Sequence, residues 1–245
     1  MRIESFMNRR MLLAYILAPA FSAIGLALIG YGGRGRISRV FEKVPLPPPR
    51  YDGNVSIEYA LKVRRSIREY EDKPLKLEHV SQLAWAGQGI TDKRYGFRTA
   101  PSAGATYPLE IYIVVKKNGV EGLSEGIYHY LPREHMLELV KKGDYSRELM
   151  DACLDQEWVG EAAINIVVTA IYERTTYRYG DRGRIRYVHM EVGHVGQNIY
   201  LQCVSLGLGC VVIGAFYDEK VKKILEVDEE PLYVIPVGVK KGGWL

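Results

Sequence analysis

Arginine and serine crowd one short stretch of the chain, Val63-Arg64-Arg65-Ser66-Ile67-Arg68, and small residues crowd another, Ala100-Pro101-Ser102-Ala103-Gly104-Ala105-Thr106-Tyr107-Pro108. A guanidinium keeps its charge at any physiological pH and presents a planar fork of donors, suited to a phosphate or to a ring carbonyl. In a turn, Arg64, Arg65 and Arg68 cannot share one direction, so some can meet a phosphate while another reaches the edge of a heterocycle. Ser66 adds a small hydroxyl donor. The second stretch has little side-chain bulk between its prolines, so the backbone from Pro101 through Ser102 and Ala103 to Gly104 can lie close to a flat ring and offer it amides. A third stretch, Gly207-Leu208-Gly209-Cys210-Val211-Val212-Ile213-Gly214-Ala215-Phe216, sets Ile213 and Gly214 where they could flank one face of such a ring.

Other chemistries find less support. The Gly207–Phe216 stretch does not match GxGxxG and holds no P-loop, and the chain has no HExxH. Cys153, Cys203 and Cys210 form no CxxC pair, which argues against a disulfide scaffold or a zinc site, so no metal is expected. Glu191-x-x-His194 has the spacing used in di-iron bundles, but such a site needs two of these motifs and further carboxylates. Net charge is +4, read as a mild excess spread along the chain rather than the basic stripe of a nucleic-acid binder. The remaining combination is a phosphate and a planar heterocycle on one ligand, and flavin mononucleotide (FMN) is such a ligand.

The 245 residues divide into three parts. Residues 1–33 hold an uncharged apolar run from Met11 to Gly33, flanked by Arg10 and Arg34, and about 20 apolar residues suffice to span a bilayer. A membrane anchor is expected there. Asn8-Arg9-Arg10-Met11-Leu12-Leu13 resembles a relaxed twin-arginine export signal, which leaves the side of the membrane open. Residues 34–55, rich in Gly and Pro, read as a stiff linker holding the rest away from that anchor. Residues 56–245 form the working domain.

Within it, Ser56 can cap a helix that ends near the arginines. Pro74 opens a second helix with Leu77, Val80, Leu83 and Ala84 on its buried side. Strands are expected at Glu110–Val115, Ile127–Leu131, Met136–Val140, Ala163–Tyr172, Cys210–Ile213 and Leu232–Val239, with helices at Ser146–Trp158, Ile185–Leu206 and from Asp218 to Leu225. This is an α+β layout, a central mixed or antiparallel sheet covered by helices.

In this order the pieces resemble the FMN-dependent nitroreductase family, and within it the SagB-type dehydrogenase branch. The resemblance runs from about Ser56 to Gly238. It rests on the arginine segment, the proline-bounded loop, Gly193-His194-Val195-Gly196-Gln197-Asn198, the Gly207–Phe216 stretch and Val234-Ile235-Pro236-Val237-Gly238. It implies an intertwined homodimer with FMN at the subunit interface. Arg64, Arg65, Ser66 and Arg68 would bind the phosphate and pyrimidine side. The backbone from Pro101 to Gly104 would lie along the ring, Ile213 and Gly214 near N5, and Lys240 would reach the phosphate. The activity implied is transfer of a hydride or electrons through flavin N5 to or from a small or peptide-borne substrate, with NAD(P)H as a candidate donor.

Two positions depart from the family pattern. Ala105 stands where many nitroreductases carry Asn. Arg178-Tyr179 stands where dehydrogenases that oxidise peptide azolines to azoles carry a Lys-Tyr pair ahead of the long helix. An arginine, with a pKa above about 12, does not serve as a base but can orient a substrate or stabilise negative charge. Tyr179 could donate a proton. Azoline oxidation and flavin storage without turnover therefore stand as alternatives.

Overall fold

A computed structural model describes residues 42–242. The expected anchor at 1–33 and the first part of the linker lie outside the described residues. Among the described residues no helix is long and apolar enough to cross a membrane. The elements follow one another as β1 (Lys43–Pro45), α1 (Ile57–Val63), β2 (Tyr70–Glu71), α2 (Leu77–Gln88), β3 (Ile90–Asp92) and β4 (Phe97–Arg98). Then come β5 (Leu109–Val115), β6 (Gly126–Leu131), β7 (Met136–Lys142), α3 (Ser146–Ala152), α4 (Glu157–Glu161) and β8 (Ile164–Ala170). The chain closes with α5 (Glu173–Tyr179), α6 (Val188–Leu206), β9 (Leu208–Cys210), α7 (Asp218–Leu225) and β10 (Glu230–Lys240).

β5 and β8 are buried at every position and pair antiparallel from Leu109 opposite Ala170 to Val115 opposite Ile164. Such continuous apolar runs need cover on both faces, and the sheet has it. Ile111, Ile113, Ile166 and Val168 pack with α2 and α6, while Tyr112, Val114 and Val167 pack with α3 and α7. Each side chain so buried contributes roughly 1.5–3 kcal/mol, so the centre of the sheet fixes the frame. The full order is β1-β7-β6-β5-β8-β10-β2, with β9 also on β10 and every strand pair antiparallel. The sheet expected to be mixed or antiparallel is antiparallel.

Several boundaries move. The expected helix at Ser146–Trp158 breaks into α3 and α4, because Leu154 and Asp155 both adopt positive φ. The expected strand at Cys210–Ile213 lies earlier, at Leu208–Cys210, and Ile213 adds a single bridge to Val234. The long helix begins at Val188, preceded by one π-helical turn over Gly183–Tyr187. α2 starts after Lys76 rather than at Pro74. The described part of the expected linker lies on the domain. Lys43–Pro45 pair with β7, Leu46 is buried, and the Pro47 carbonyl accepts hydrogen bonds from Ser81 and from His135.

Candidate flavin site

α1 ends where Arg64 takes a non-helical conformation, so the arginines follow in an extended turn. That turn is pinned at its centre. Ile67 is 7% exposed, its N–H donates to the Cys210 carbonyl of β9, and its own carbonyl accepts from Tyr70 Oη at 2.8 Å. Burial pushes the Tyr70 hydroxyl far above the usual phenol range, so it stays a donor. β9 can come this close because residue 209 is glycine. A Cβ there would stand 2.6 Å from Ile67 Cγ2.

Around the pinned residue the arginines diverge. Arg64 stacks over the Tyr200 ring of α6 at 4.8 Å, and Arg68 over Trp158 at 5.4 Å. Arg65 is exposed, bonded only to the carbonyls of Lys62 and Arg64. Ser66 Oγ meets Tyr200 Oη at 2.9 Å, and the same hydroxyl accepts from Val212 N–H at 3.0 Å. Arg65 and Lys240 line one small cavity with Ile67, Tyr200, Cys203 and Cys210. Among the described residues none of Arg64, Arg65, Arg68 and Lys240 makes an ion pair. Two cations, Arg65 and Lys240, on one cavity without a carboxylate in its lining suit a phosphate. Of the Ile213 and Gly214 pair, Ile213 is buried with its N–H and carbonyl both paired to Val234, whereas Gly214 is exposed and makes no backbone hydrogen bond. Only Gly214 can therefore offer an amide to a ring.

The proline-bounded loop lies against the other half of α6. Its backbone is strained: Gly104, Ala105 and Tyr107 all have positive φ, at 60°, 54° and 45°. For a residue with a side chain that conformation costs of order 1–3 kcal/mol and persists only where the surroundings impose it. They do so with a dense set of bonds. Ser102 Oγ accepts from Tyr107 N–H at 2.9 Å, Thr106 Oγ1 donates to the Ala103 carbonyl and meets Thr175 Oγ1, and Arg174 donates to the Tyr107 carbonyl at 3.1 Å. His194 Nδ1 lies 3.3 Å from the Pro101 carbonyl.

Arg178 and Tyr179 come to this loop from α5. A Cβ on Gly104 would stand 2.6 Å from Tyr179 Oη and 2.9 Å from Arg178 Nη1. Glycine suits that position by its φ, and it leaves the room that the Tyr179 and Arg178 side-chain ends occupy. Arg178 stacks over Tyr179, whose ring meets Tyr187 edge-on at 5.1 Å. Beneath the loop lies a polar network that the sequence did not announce. Arg98 of β4 donates to Gln88 Oε1 at 2.7 Å, Arg174 pairs with Glu110, and Glu110 bonds His129 at 2.8 Å. Burial opposes the Glu110 charge, but His129 and Arg174 hold its carboxyl below the usual range. Glu191 completes the network, 3% exposed on α6. Its only forecast was the lone Glu191-x-x-His194 spacing, and both of those residues brace the loop. Among the described residues no group of His, Cys, Asp and Glu is arranged to hold a metal ion. Gly196 packs against Tyr233 within the chain, while Gly193 faces open space.

The nitroreductase family model matches residues 61–239. This chain belongs to the nitroreductase family. It is 50% identical over 186 residues to MJ1384 of Methanocaldococcus jannaschii, named for its nitroreductase likeness, covering 76% of this chain and 92% of that protein. It is 31% identical over 137 residues to the microcin B17-processing protein McbC of Escherichia coli, covering 54% of this chain and 49% of that one. Among solved structures, a nitroreductase-like protein of Ralstonia eutropha superposes with a TM-score of 0.70 at 28% identity, covering 82% of this chain and 90% of that one. A chain of the E. coli microcin synthetase McbBCD complex with truncated pro-MccB17 bound superposes at 0.63 with 25% identity, covering 86% and 84%. The nitroreductase-like fold and the SagB-type kinship are therefore secure, and the family is one of oxidoreductases.

Proposed function

We propose that this chain is an FMN-dependent oxidoreductase whose flavin phosphate sits among Arg64, Arg65, Arg68 and Lys240. The observation that carries this reading is a cavity lined by Arg65 and Lys240 with no acidic side chain in its lining, flanked by Arg64 and Arg68 in the same turn, none of the four in an ion pair among the described residues. Bound there, FMN would supply hydride and electron transfer at its N5. The chain's own residues do the rest. Ser66 and one arginine would reach the pyrimidine edge, Gly214 would offer its N–H, and the Pro101–Gly104 backbone would lie along the ring. Tyr179 and Arg178 stand beside that backbone, where a substrate on the open ring face would meet a hydroxyl donor and a fixed positive charge.

The arginine turn meets α6 at Tyr200 and the loop meets it at Glu191, nine residues and about 13 Å apart along the helix. We read the complete site as shared between two copies, the arginines from one and the loop from the other. Exposed apolar side chains support this: Ile57, Tyr59 and Leu61 on α1 and Met190 on α6. The uncharged Met11–Gly33 run is read as a tether to a membrane. A peptide azoline is the second substrate reading, supported by the likeness to McbC and placed at the Arg178-Tyr179 pair. The test is direct. The purified protein should be yellow, release FMN on denaturation and lose its colour with NAD(P)H; a protein that takes up no FMN overturns the reading.

A further inference from the structure

Three buried polar atoms without a hydrogen-bond partner lie in one place: Gln88 Nε2, Arg98 Nε and Glu191 Oε1. They come from α2, β4 and α6, directly beneath the strained loop. Ser102 is the side chain that does most to lower the Glu191 carboxyl against burial, and its Oγ accepts the Tyr107 N–H at 2.9 Å. Glu191 therefore reaches, in two steps, the residue that bears the most unusual backbone of the loop, Tyr107 with φ 45°. We propose that Glu191 is a positioning residue, holding the Pro101–Gly104 loop in its ring-facing shape through Ser102, and that this hold depends on whether its carboxyl carries a proton. The proposal rests on the flavin reading only in naming what the loop faces.

The surroundings argue for the proton. Burial pushes the Glu191 carboxyl up to about 7, more than Ser102, Arg98 and Gln88 pull it down. Arg98 is the one charge that faces it from a neighbouring element, and Arg98 is itself faced by Glu110 and Arg174, with His129 on Glu110. Gln88 and Ser102 are neutral. On its own helix His194 is one turn away, occupied with the Pro101 carbonyl, and Arg178 approaches the loop from α5 on the Gly104 side. With Arg98 Nη1 committed to Gln88 and to the Leu109 carbonyl, a carboxylate at Glu191 would leave its Oε1 buried without a hydrogen-bond partner. A neutral carboxyl fits that arrangement. Ionisation would draw Arg98 Nε and Glu191 Oε1 together, because each is then the other's missing partner. Arg98 also stacks on Tyr107 at 4.8 Å and takes the Tyr107 hydroxyl on its N–H, so its movement loosens the loop from a second side.

Amide exchange at Tyr107 reads the hold with no flavin present. In the full-length protein, the protection factor of that amide is expected to fall between pH 6 and pH 8, by up to about tenfold as the neutral fraction drops. Glu191→Gln keeps the neutral shape and should keep the protection at both pH values. Ser102→Ala should lose it at both. Equal pH dependence in the wild type and in Glu191→Gln, or no protection at either pH, overturns the proposal. FMN affinity, read by fluorescence quenching over the same range, should weaken with pH in the wild type and stay level in Glu191→Gln. A level wild-type affinity beside a falling protection factor overturns the link between the hold and the ring. Absence of FMN binding at every pH overturns the flavin reading, and the exchange result then decides the role of Glu191 alone.

Discussion

The two ends of α6 solve opposite electrostatic problems. Near Tyr200 the chain gathers Arg64, Arg65, Arg68 and Lys240 with no carboxylate among them, and satisfies them with aromatic faces and carbonyls. Near Glu191 it buries acid and base together, Glu110 with Arg174 and His129, and Arg98 with Gln88. On the proposed reading the first end is completed by an external anion. The second is nearly complete in itself, and what it holds is a piece of backbone. On that reading, binding energy for a charged group and precision for a flat ring come from separate regions of α6.

The largest effect is expected at the cationic end. Arg64→Ala with Arg65→Ala is expected to weaken FMN binding by about 10²–10⁴-fold, since each charge-assisted hydrogen bond is worth ~1.5–3 kcal/mol. Thermal unfolding of the apo protein should change little, because Arg65 is exposed and makes no ion pair within the described residues. Fluorescence titration and a melting curve check both halves. A large loss of stability without a loss of affinity would mean that the turn is structural.

At the buried end the effect should appear in stability instead. The Glu191 carboxyl is held above its ordinary value, to about 7, by burial. Its folded form therefore costs nothing extra below the unfolded pKa near 4.5, and stability is lost as pH rises toward 7. Glu191→Gln removes the titration, so it should be close to neutral at pH 5 and stabilising by up to ~3 kcal/mol at pH 8. Denaturant unfolding at the two pH values tests the sign; a variant less stable than wild type at pH 8 contradicts it.

How far the sequence reached follows the same division. The arginine turn and the proline-bounded loop were legible because their residue types are unusual and contiguous. β5, β8 and β10 were legible because a doubly covered strand needs an unbroken apolar run. The Glu191 network was not legible. Gln88, Arg98, Ser102 and Glu191 stand on four segments, each with an ordinary polar residue, and only the packing of α2 and α6 on the sheet brings them together. The break between α3 and α4 was hidden for another reason: Leu154 and Asp155 take the left-handed conformation without a glycine to mark it. The resemblance singled out Arg178 and Tyr179, but their apposition to Gly104 is visible only as a distance.

Tyr179 tests what the loop presents to a substrate. Its hydroxyl approaches Gly104 without belonging to the network below. Tyr179→Phe should lower turnover by about 10–100-fold, the lower part of the range for losing a positioned proton donor. FMN affinity and the melting temperature should hold. Steady-state and stopped-flow rates with a nitroaromatic or quinone acceptor would show which half-reaction carries the loss.

The smallest effect is expected at Arg178, and its value lies in the shape of a pH profile. A guanidinium cannot lose its proton in the working range, so the wild-type rate should show no limb from this position. Arg178→Lys keeps the charge but replaces a planar fork by a point charge that titrates. The rate at pH 7 should change by only a few fold, about 1 kcal/mol or less. Toward pH 9–10 a new limb should appear as the ammonium next to the Tyr179 ring begins to release its proton. If that limb rises, a base at this position speeds the reaction, and the arginine marks a chemistry that does without one. If it falls, the charge itself is what the substrate uses, and the cationic character assigned to the far end of α6 extends to the substrate side as well.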